Sequence, residues 1–488
     1  MNNLQDFQEG FLGGEQEGAM ELLKAMQAGQ ITGRDTTNQT LTMEPLKAES
    51  LETTLKVLEY RQKDIKLLNR MPKMTAYNTV EEFLQLKSYG IERGGFYNEG
   101  ELSDIEDSQY VRHAEKVKYL QITGEVTMQA QMVRSYVDAM TKEVENKAMW
   151  ITRKANLAMT KGNADIIPQE WNGLYKQHAS IGVSDGDLYT DIEAYYNSGV
   201  VVDMRGKSLK QSDIENAAVT VDANFGNVSD IFAPTTVIST ITQEYFDRQR
   251  IMQNGTAFSG TLGMGQLKAI STTMGDVNLM GDKFIANQAG STIALKPADP
   301  KAPAAPTAGA NPALAADALA KFVTGETGTV RYAVSALNRF GESNLTLLGA
   351  ADITITIGDA IDLAFTATPG SQATTGFQVW RTKVGQGAAG VFYPIFKISV
   401  AQLAAGYDGG APGVVRDRGR LLPDTETAFI TEMVDNVLSF KQLSPISKLD
   451  LAVISMSRRF ITFLFATPNL YAPKKLVKFV NCSKTLTA

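Results

Sequence analysis

The stretch VRSYVDAMTKEVENKAMWITRKANLAMTKG, Val133–Gly162, governs how the rest of the chain is read. Val133, Val137, Met140, Val144, Ala148, Ile151, Ala155 and Ala158 follow one another at intervals of three or four residues. That spacing stacks apolar side chains on one face of a 3.6-residue turn. It predicts a helix of about 26 residues, ~39 Å long at 1.5 Å per residue. Lys142, Glu143, Glu145, Lys147, Arg153 and Lys154 fall at other positions. Gly162 stops the helix and Pro168 lies beyond it. A helix this long suits the spine of a thin, extended domain.

Upstream, VEEFLQLKSYG, Val80–Gly90, is read as a short helix. Thr79 is its N-cap, Glu81 and Glu82 suit its positive end, and Gly90 is its stop. Ile91–Gly124 then carries Gly94-Gly95, Gly100 and the acidic run Asp104–Asp107, followed by alternating residues from Val111 to Ile122. This piece reads as a protruding two-stranded loop, which needs a neighbour to hold it because an isolated hairpin is marginal in water. Before it, residues 19–28 can form a short helix around Met20, Leu22, Leu23 and Met26. Gly29–Thr42 is too poor in apolar residues to order itself. Ser50 can cap a turn, and Met71-Pro72 ends the run that starts at Glu44. The whole segment reads as an arm that orders against something else.

Downstream, PQEWNGLYKQH, Pro168–His178, places Trp171 in a loop. Ser212–Glu215 has capping-box spacing and starts a helix broken at Phe225-Gly226. Thr235, Val237, Ile238, Ile241, Tyr245 and Phe246 repeat at helical spacing, and Met264–Ile285 reads as strands turning at Gly265, Gly275 and Gly281. The composition then changes at KPADPKAPAAPTAGANP, Lys296–Pro312, a semi-rigid extended linker. Short alternating strands follow: Val330, Tyr332, Val334, Ala336; then Ile353, Ile355, Ile357; then Phe377, Val379 and Arg381 on one face with Trp380 on the other. That is the texture of a β-sandwich. The last block, Ser444–Ala488, is strand-rich, with Pro468 and Pro473 as breaks. It is too short for a domain, so it should complete the core begun before residue 296. The sandwich is then an insertion whose two ends lie close together at the surface.

Composition narrows the chemistry. The 488 residues suggest about three domains. The formal charge of −6, from 47 basic and 53 acidic residues, is a poor basis for gripping nucleic acid. Cys482 is the only cysteine, and His113 and His178 are the only histidines. No internal disulfide, no His/Cys zinc site and no histidine-dependent hydrolase is expected. Gly263–Lys268 lacks the spacing of a phosphate loop. Asp104, Glu106 and Asp107 read as solvated charge, and Lys474-Lys475 is too small for a nucleic-acid patch. No catalytic residues, metal or cofactor are expected. Met1–Phe11 has no basic region or apolar run, and Arg458 and Arg459 interrupt the most hydrophobic stretch, Leu449–Pro468. A soluble protein made in a cytoplasm is the expectation, with no membrane contact.

The order of arm, hairpin, spine helix and central domain resembles the Hong Kong 97-type major capsid proteins of tailed bacteriophages. Glu49–Phe83, Pro168–Leu174 and the ending RRFITFLFATPNLYAPKKLVKFVN, Arg458–Asn481, are similar to text of that family. The resemblance covers the chain outside the insertion. YAVSALNRFGES, Tyr332–Ser343, is similar to immunoglobulin or fibronectin type III-like domains that decorate phage structural proteins. The implied fold class is α+β, a Hong Kong 97-type capsid fold with an all-β sandwich insertion. Its implied parts are an N-terminal arm at 1–78, an E-loop region at 79–127 (the hairpin itself about 91–126) and a peripheral domain with the spine helix at 128–205. An axial domain at 206–296, the inserted sandwich at 297–435 and a C-terminal return at 436–488 complete it.

The implied function is self-assembly into pentamers and hexamers of an icosahedral head shell around double-stranded DNA, held without sequence-specific binding. The shell would assemble in the host cytoplasm and end in the virion. Scaffold, portal and decoration proteins are the further partners the resemblance implies. Arg93, Phe96, Tyr97, Glu99 and Arg112 are the candidate intersubunit contacts in the hairpin. Some family members cross-link Lys to Asn, for which Lys116 or Lys118 and Asn481 are the residues at hand. The chain starts at a methionine with only a short helix before the arm, so a separate scaffold or none is expected. A tail or baseplate component with the same decorating sandwich is one rival. An enzyme with an accessory sandwich, using carboxylates alone, is the other.

Overall fold

The computed structural model describes residues 60–90, 95–102, 105, 107–132, 138–180, 200–244, 267–293, 298–453 and 455–486. The expected helix at 19–28, the polar stretch 29–42 and the Ser50 cap lie outside the described residues, as do Arg93, Asp104, Glu106, Val133, Val137, Tyr245, Phe246 and Gly265.

The described chain starts with a helical turn, Leu67–Arg70, that closes at Met71. Ile65, Leu67, Leu68 and Met71 are all buried. Strand β1, Lys73–Thr75, follows. Next, β2 (Val80–Ser88) and β3 (Gln109–Lys116) form an antiparallel two-stranded sheet, with Val80 opposite Lys116. The hairpin is therefore present, but Val80–Gly90 is not the expected helix. Its burial has a period of two: Glu81, Phe83 and Gln85 are half-buried while Glu82, Leu84 and Leu86 are exposed. The two glutamates do not share a helix end. Glu82 reaches Arg112 across the hairpin, and Glu81 lies 3.8 Å from Lys441. Thr79 caps nothing; its carbonyl accepts from the Val117 amide at 2.9 Å.

Strand β4, Lys118–Thr127, leads to the spine helix α1, Ala139–Lys161. Its 23 residues span ~34 Å. The Asp138 carboxylate accepts from the Thr141 amide at 2.9 Å, and the Gly162 amide donates to Ala158 O. Ile151, Ala155, Ala158 and Met159 are buried, whereas Met140, Val144 and Ala148 are half-buried. Trp171 sits in the expected loop but is buried edge-on against Phe440 at 5.8 Å. Helix α2, Leu174–Ser180, takes over the end of that stretch.

Strand β5 is Val201–Asp203 and helix α3 is Gln211–Ala223. Helix α3 starts two residues earlier than the Ser212 spacing implies: the Asp213 carboxylate accepts from the Lys210 amide at 3.0 Å. It ends where expected, with Phe225 at φ +60°. Strand β6 (Asp230–Ala233), helix α4 (Thr235–Glu244), β7 (Ala269–Thr272) and β8 (Gly275–Gly281) follow.

From residue 298 to 417 the regular elements are short strands, apart from a helical turn at Thr324–Glu326 and a short helix at Val400–Ala405. The elements are β9 Thr307–Ala308, β10 Ala313–Ala316, β11 Gly328–Val330, β12 Tyr332–Asn338, β13 Gly341–Glu342 and β14 Thr346–Leu347. They continue with β15 Ile353–Ile355, β16 Asp359–Thr366, β17 Gly376–Thr382, β18 Phe392–Ser399 and β19 Val414–Asp417. One sheet runs β13-β12-β17-β18 and another β10-β16-β19. Val330, Tyr332, Val334, Ala336, Phe377 and Val379 share one core with Ile361, Leu363, Phe365 and Val415. Trp380 and Ala333 face the other way, against Leu345 and Phe392. Arg381 is on the Phe377 face, and its guanidinium donates to Asp417 at 2.6 Å with both side chains buried. The Tyr332 hydroxyl donates to the same carboxylate at 2.9 Å. Removing one partner of a buried ion pair strands the other, which typically costs about 3–5 kcal/mol. Arg381→Ala should therefore lower the unfolding free energy, measured by urea titration of the full chain, by that amount. A loss under 1 kcal/mol would mean water reaches Asp417.

Strands β20 (Glu426–Thr431), β21 (Leu438–Asp450), β22 (Ser457–Leu470) and β23 (Leu476–Cys482) close the fold. They build two sheets, in orders β1-β21-β22-β4 and β5-β23-β20-β6-β8-β7. Strand β20 lies inside the segment 297–435 by number, yet it pairs with β6 and β23. Helix α1 and the four-stranded sheet enclose Ile151, Met159, Phe440 and Leu464, together with Phe232 and Phe429 from the six-stranded sheet. The opposite face of that sheet, with Ile231, Ile430, Val477 and Phe479, packs on α3 and α4. The final strands thus complete cores begun before residue 296.

Pro468, expected as a break, sits inside β22 opposite Phe440. Phe440 donates its own N–H to Pro72 O at 2.8 Å, so no ladder bond depends on a Pro468 N–H. Gly124 in β4 admits the Phe460 ring where a Cβ would sit 2.3 Å from it. Asn287 donates from its backbone to Glu426 at 2.6 Å and from its side chain to Thr425 O at 2.7 Å, which sets the chain before β9 beside the start of β20. Among the described residues the protein is mixed α and β, with strands in the majority.

Candidate intersubunit interface

Among the described residues the β2–β3 hairpin pairs with no third strand. Its base is held firmly. Phe83 meets Tyr471 edge-on at 4.9 Å, Glu115 accepts from Asn172 at 3.3 Å, and Lys118 donates to Pro168 O at 2.6 Å. Burial raises the Glu115 carboxyl above the usual carboxylate range, against that hydrogen bond and Lys118. Beyond the base, a turn closes at Asn98–Glu101, where Gly100 has φ +84° with open space around it.

Of the residues singled out from the sequence, Phe96 is 100% exposed, and Tyr97 and Glu99 are exposed beside it. Arg112 is exposed on β3, bonded to Glu82; such a surface pair contributes little to stability. The structure adds Leu84, Tyr89, Leu102, Ile105 and Tyr110, all exposed large apolar side chains. Leu102 and Ile105 reach 92% and 94%. Sequence reading missed these residues because it took 80–90 for a helix and scored the loop for its charges. The available signal was apolar residues in a segment with no periodic match to any core. Among the described residues this projection gathers more exposed large apolar side chains than singly scattered surface residues would.

Two buried polar nodes hold the rest rigid. Asp282 is fully buried and accepts from the Lys66 and Leu67 amides at 3.1 and 3.2 Å, from Asn156 at 2.8 Å and from the Phe284 amide at 2.8 Å. It ties the start of the described chain to the spine. Arg205, at φ +46°, reaches Glu326 at 3.2 Å, Gly419 O at 2.7 Å and Lys321 O, tying the sandwich to the end of β5. Asn481 is buried beside it, donating to Asp203 at 2.7 Å and Arg420 O at 2.8 Å and accepting from the Leu422 amide. Its amide is committed inside the fold, which leaves no free Asn481 for a cross-link to Lys116 or Lys118.

His178 is buried on α2 and donates to Leu476 O at 2.6 Å. Burial, with Lys478 adding to it, pushes its pKa from 6.5 down to about 3. Between those values the unfolded chain binds a proton that the folded chain refuses, so stability rises with pH. Stability should fall as pH drops below about 6.5, by up to ~1.4 kcal/mol per unit from this group. Urea midpoints measured from pH 7 to 4.5 should show that slope, and His178→Gln should flatten it. Equal slopes would assign the acid sensitivity elsewhere. His113 lies against Phe83, their rings 5.7 Å apart, and Cys482 is buried. Among the described residues no cluster of three His, Cys, Asp or Glu is placed to hold a metal, and no helix is long and apolar enough to cross a membrane.

No protein-family model matches the chain. Among curated proteins, the major capsid protein of Staphylococcus phage S25-3 is 22% identical over 496 residues, covering 98% of each chain. The likeness is to capsid proteins, end to end. The major capsid protein of Staphylococcus phage K matches at the same identity and coverage. Among solved structures, the capsid of cyanophage P-SCSP1u aligns with 93% of this chain and 96% of its own, at 8% identity and a TM-score of 0.43.

Proposed function

We propose that the protein is the major capsid protein of a tailed bacteriophage. The observation that carries this is the alignment with named capsid proteins over 98% of both chains, which spans hairpin, spine, sandwich and return together. Copies of the chain form the icosahedral head shell, as pentamers and hexamers around double-stranded DNA. The work is structural, with no catalytic step. The long spine helix, the two-stranded hairpin and the two-sheet scaffold support a Hong Kong 97-type layout. In it, residues 1–78 are the arm, 79–127 the E-loop region and 128–205 with β21 and β22 the peripheral domain. Residues 206–296 with β20 and β23 are the axial domain. The strands from β9 to β19 are an immunoglobulin or fibronectin type III-like insertion that faces outward.

Each hairpin lies over a neighbouring subunit, where Phe96, Leu102 and Ile105 lose their contact with water. Repeated closed symmetry then adds individually moderate contacts into a stable container. The net charge of −6 suits a wall that does not grip its genome. Assembly in the host cytoplasm, with scaffold, portal and decoration proteins as partners, belongs to the same reading. Negative-stain microscopy of the expressed chain across salt concentrations, alone and with its phage's other head proteins, tests it. Closed shells or five- and six-membered rings are expected. Tubes or spikes would move the protein to the tail or baseplate, and a monomer under every condition would refute shell formation.

A further inference from the structure

Three cavities, of about 420, 390 and 550 Å³, lie along one seam, between strands β9–β19 and the rest of the chain. The first opens between Val384 and Gly206, the second between Phe396 and Val480, and the third between Phe340 and Trp150. The cores on the two sides are separate. Tyr332, Ile361, Phe377 and Val415 pack together on the sandwich side. Phe440 and Phe479 belong to clusters that take no buried residue from 298–421. Apart from Ile293 on the entering chain, the buried apolar cluster that crosses the seam among the described residues is Val201 and Val480 with Leu421 packed on them.

The fastenings across the seam are polar. Arg205 donates to Glu326 at 3.2 Å, to Gly419 O at 2.7 Å and to Lys321 O. Asn481 donates to Arg420 O and accepts from the Leu422 amide, each at 2.8 Å. Asp424 holds Lys484 of the chain end and Lys383 of β17's end, each at 2.6 Å.

We propose that strands β9–β19 form a rigid module hinged on the rest of the protein and latched by Arg205, so that releasing the latch opens the seam while both cores stay folded. Units joined by a polar contact move relative to each other unless a large apolar interface holds them. A hydrogen bond given up at a cavity wall is replaced by one to water at small net cost. Opening either core would instead bring packed apolar side chains into water. The seam is therefore the first part to yield, as a local opening and not as unfolding. Arg205 itself sits at φ +46°, a left-handed backbone that its surroundings must hold in place and that recurs in switch regions.

The inference concerns the single chain and stands whether or not the chain builds a shell. Hydrogen exchange of the purified full-length protein, read by mass spectrometry, tests it. Arg205→Ala should speed exchange at the Leu422 amide roughly tenfold or more, as expected when charge-assisted hydrogen bonds are lost. Val334 and Val379 in the sandwich, and Ile430 in β20, should exchange as in the parent. Glu326→Gln keeps the shape without the charge and should give a smaller increase. The parent in 1 M sodium chloride, where screening shortens to about 3 Å, should shift the same way, and decides the matter should the variants not fold. Unchanged exchange at Leu422 in high salt and in every folded variant overturns the proposal, because the seam then does not open. Val334 and Val379 exchanging in step with Leu422 overturns it too, because the sandwich then unfolds instead of moving.

Discussion

Replacing Phe96, Leu102 and Ile105 together by serine should stop shell formation and leave the subunit folded. In the single chain these side chains are 92–100% exposed, so their loss removes no packing. Exposed substitutions usually change stability by no more than about 0.5 kcal/mol. Against a neighbour the balance reverses, because burying each large apolar side chain is worth roughly 1.5–3 kcal/mol. Three lost together remove about 5 kcal/mol per contact, more than three powers of ten in association. Sedimentation velocity at the parent's assembly concentration should find only free subunits, with an unchanged thermal transition. Shells at the parent's concentration would show that the hairpin tip touches nothing. A large drop in melting temperature would show that the tip serves the subunit's own fold.

Asp282→Ala should have the largest effect on the subunit itself. Its carboxylate satisfies three backbone amides and the Asn156 side chain. Each buried donor left without a partner costs about 1–3 kcal/mol. Several stranded at once approach the whole stability of an ordinary domain, about 5–15 kcal/mol. The Ala variant should be insoluble or unfolded at 37 °C. Asp282→Asn keeps one carbonyl oxygen and the shape, so it should fold with a lower urea midpoint. Near-parent stability in the Ala variant would mean that water takes over the amides.

The spine helix was legible because its apolar period runs unbroken to Gly162 and nothing tertiary opposes it. The sandwich strands were legible because Tyr332, Val334, Phe377 and Val379 alternate with residues that face another core. Val80–Ser88 was misread because local signals at Thr79, Glu81 and Glu82 mimic a helix start, while the partners that make it a strand lie far along the chain. Gln109–Lys116 pairs with it, and Tyr471 and Lys441 receive its inner face. Pro468 misled for the same reason, since the N–H that would test it is directed by Pro72, hundreds of residues away. At the hairpin tip Phe96 was found by its chemistry, but Leu102 and Ile105 were hidden among charges.

Arg205 holds the β9–β19 strands to the end of β5, meeting Glu326, Lys321 O and Gly419 O. A domain on a loose tether would swing, and its copies would point in many directions. Held in one orientation, it would be presented by a repeating shell as a lattice of identical sites at set spacings. A receptor or glycan surface of matching pitch would then meet many sites at once, and contacts too weak to hold singly would gain from effective concentration. Loosening Arg205 would leave each site intact and still erase that avidity.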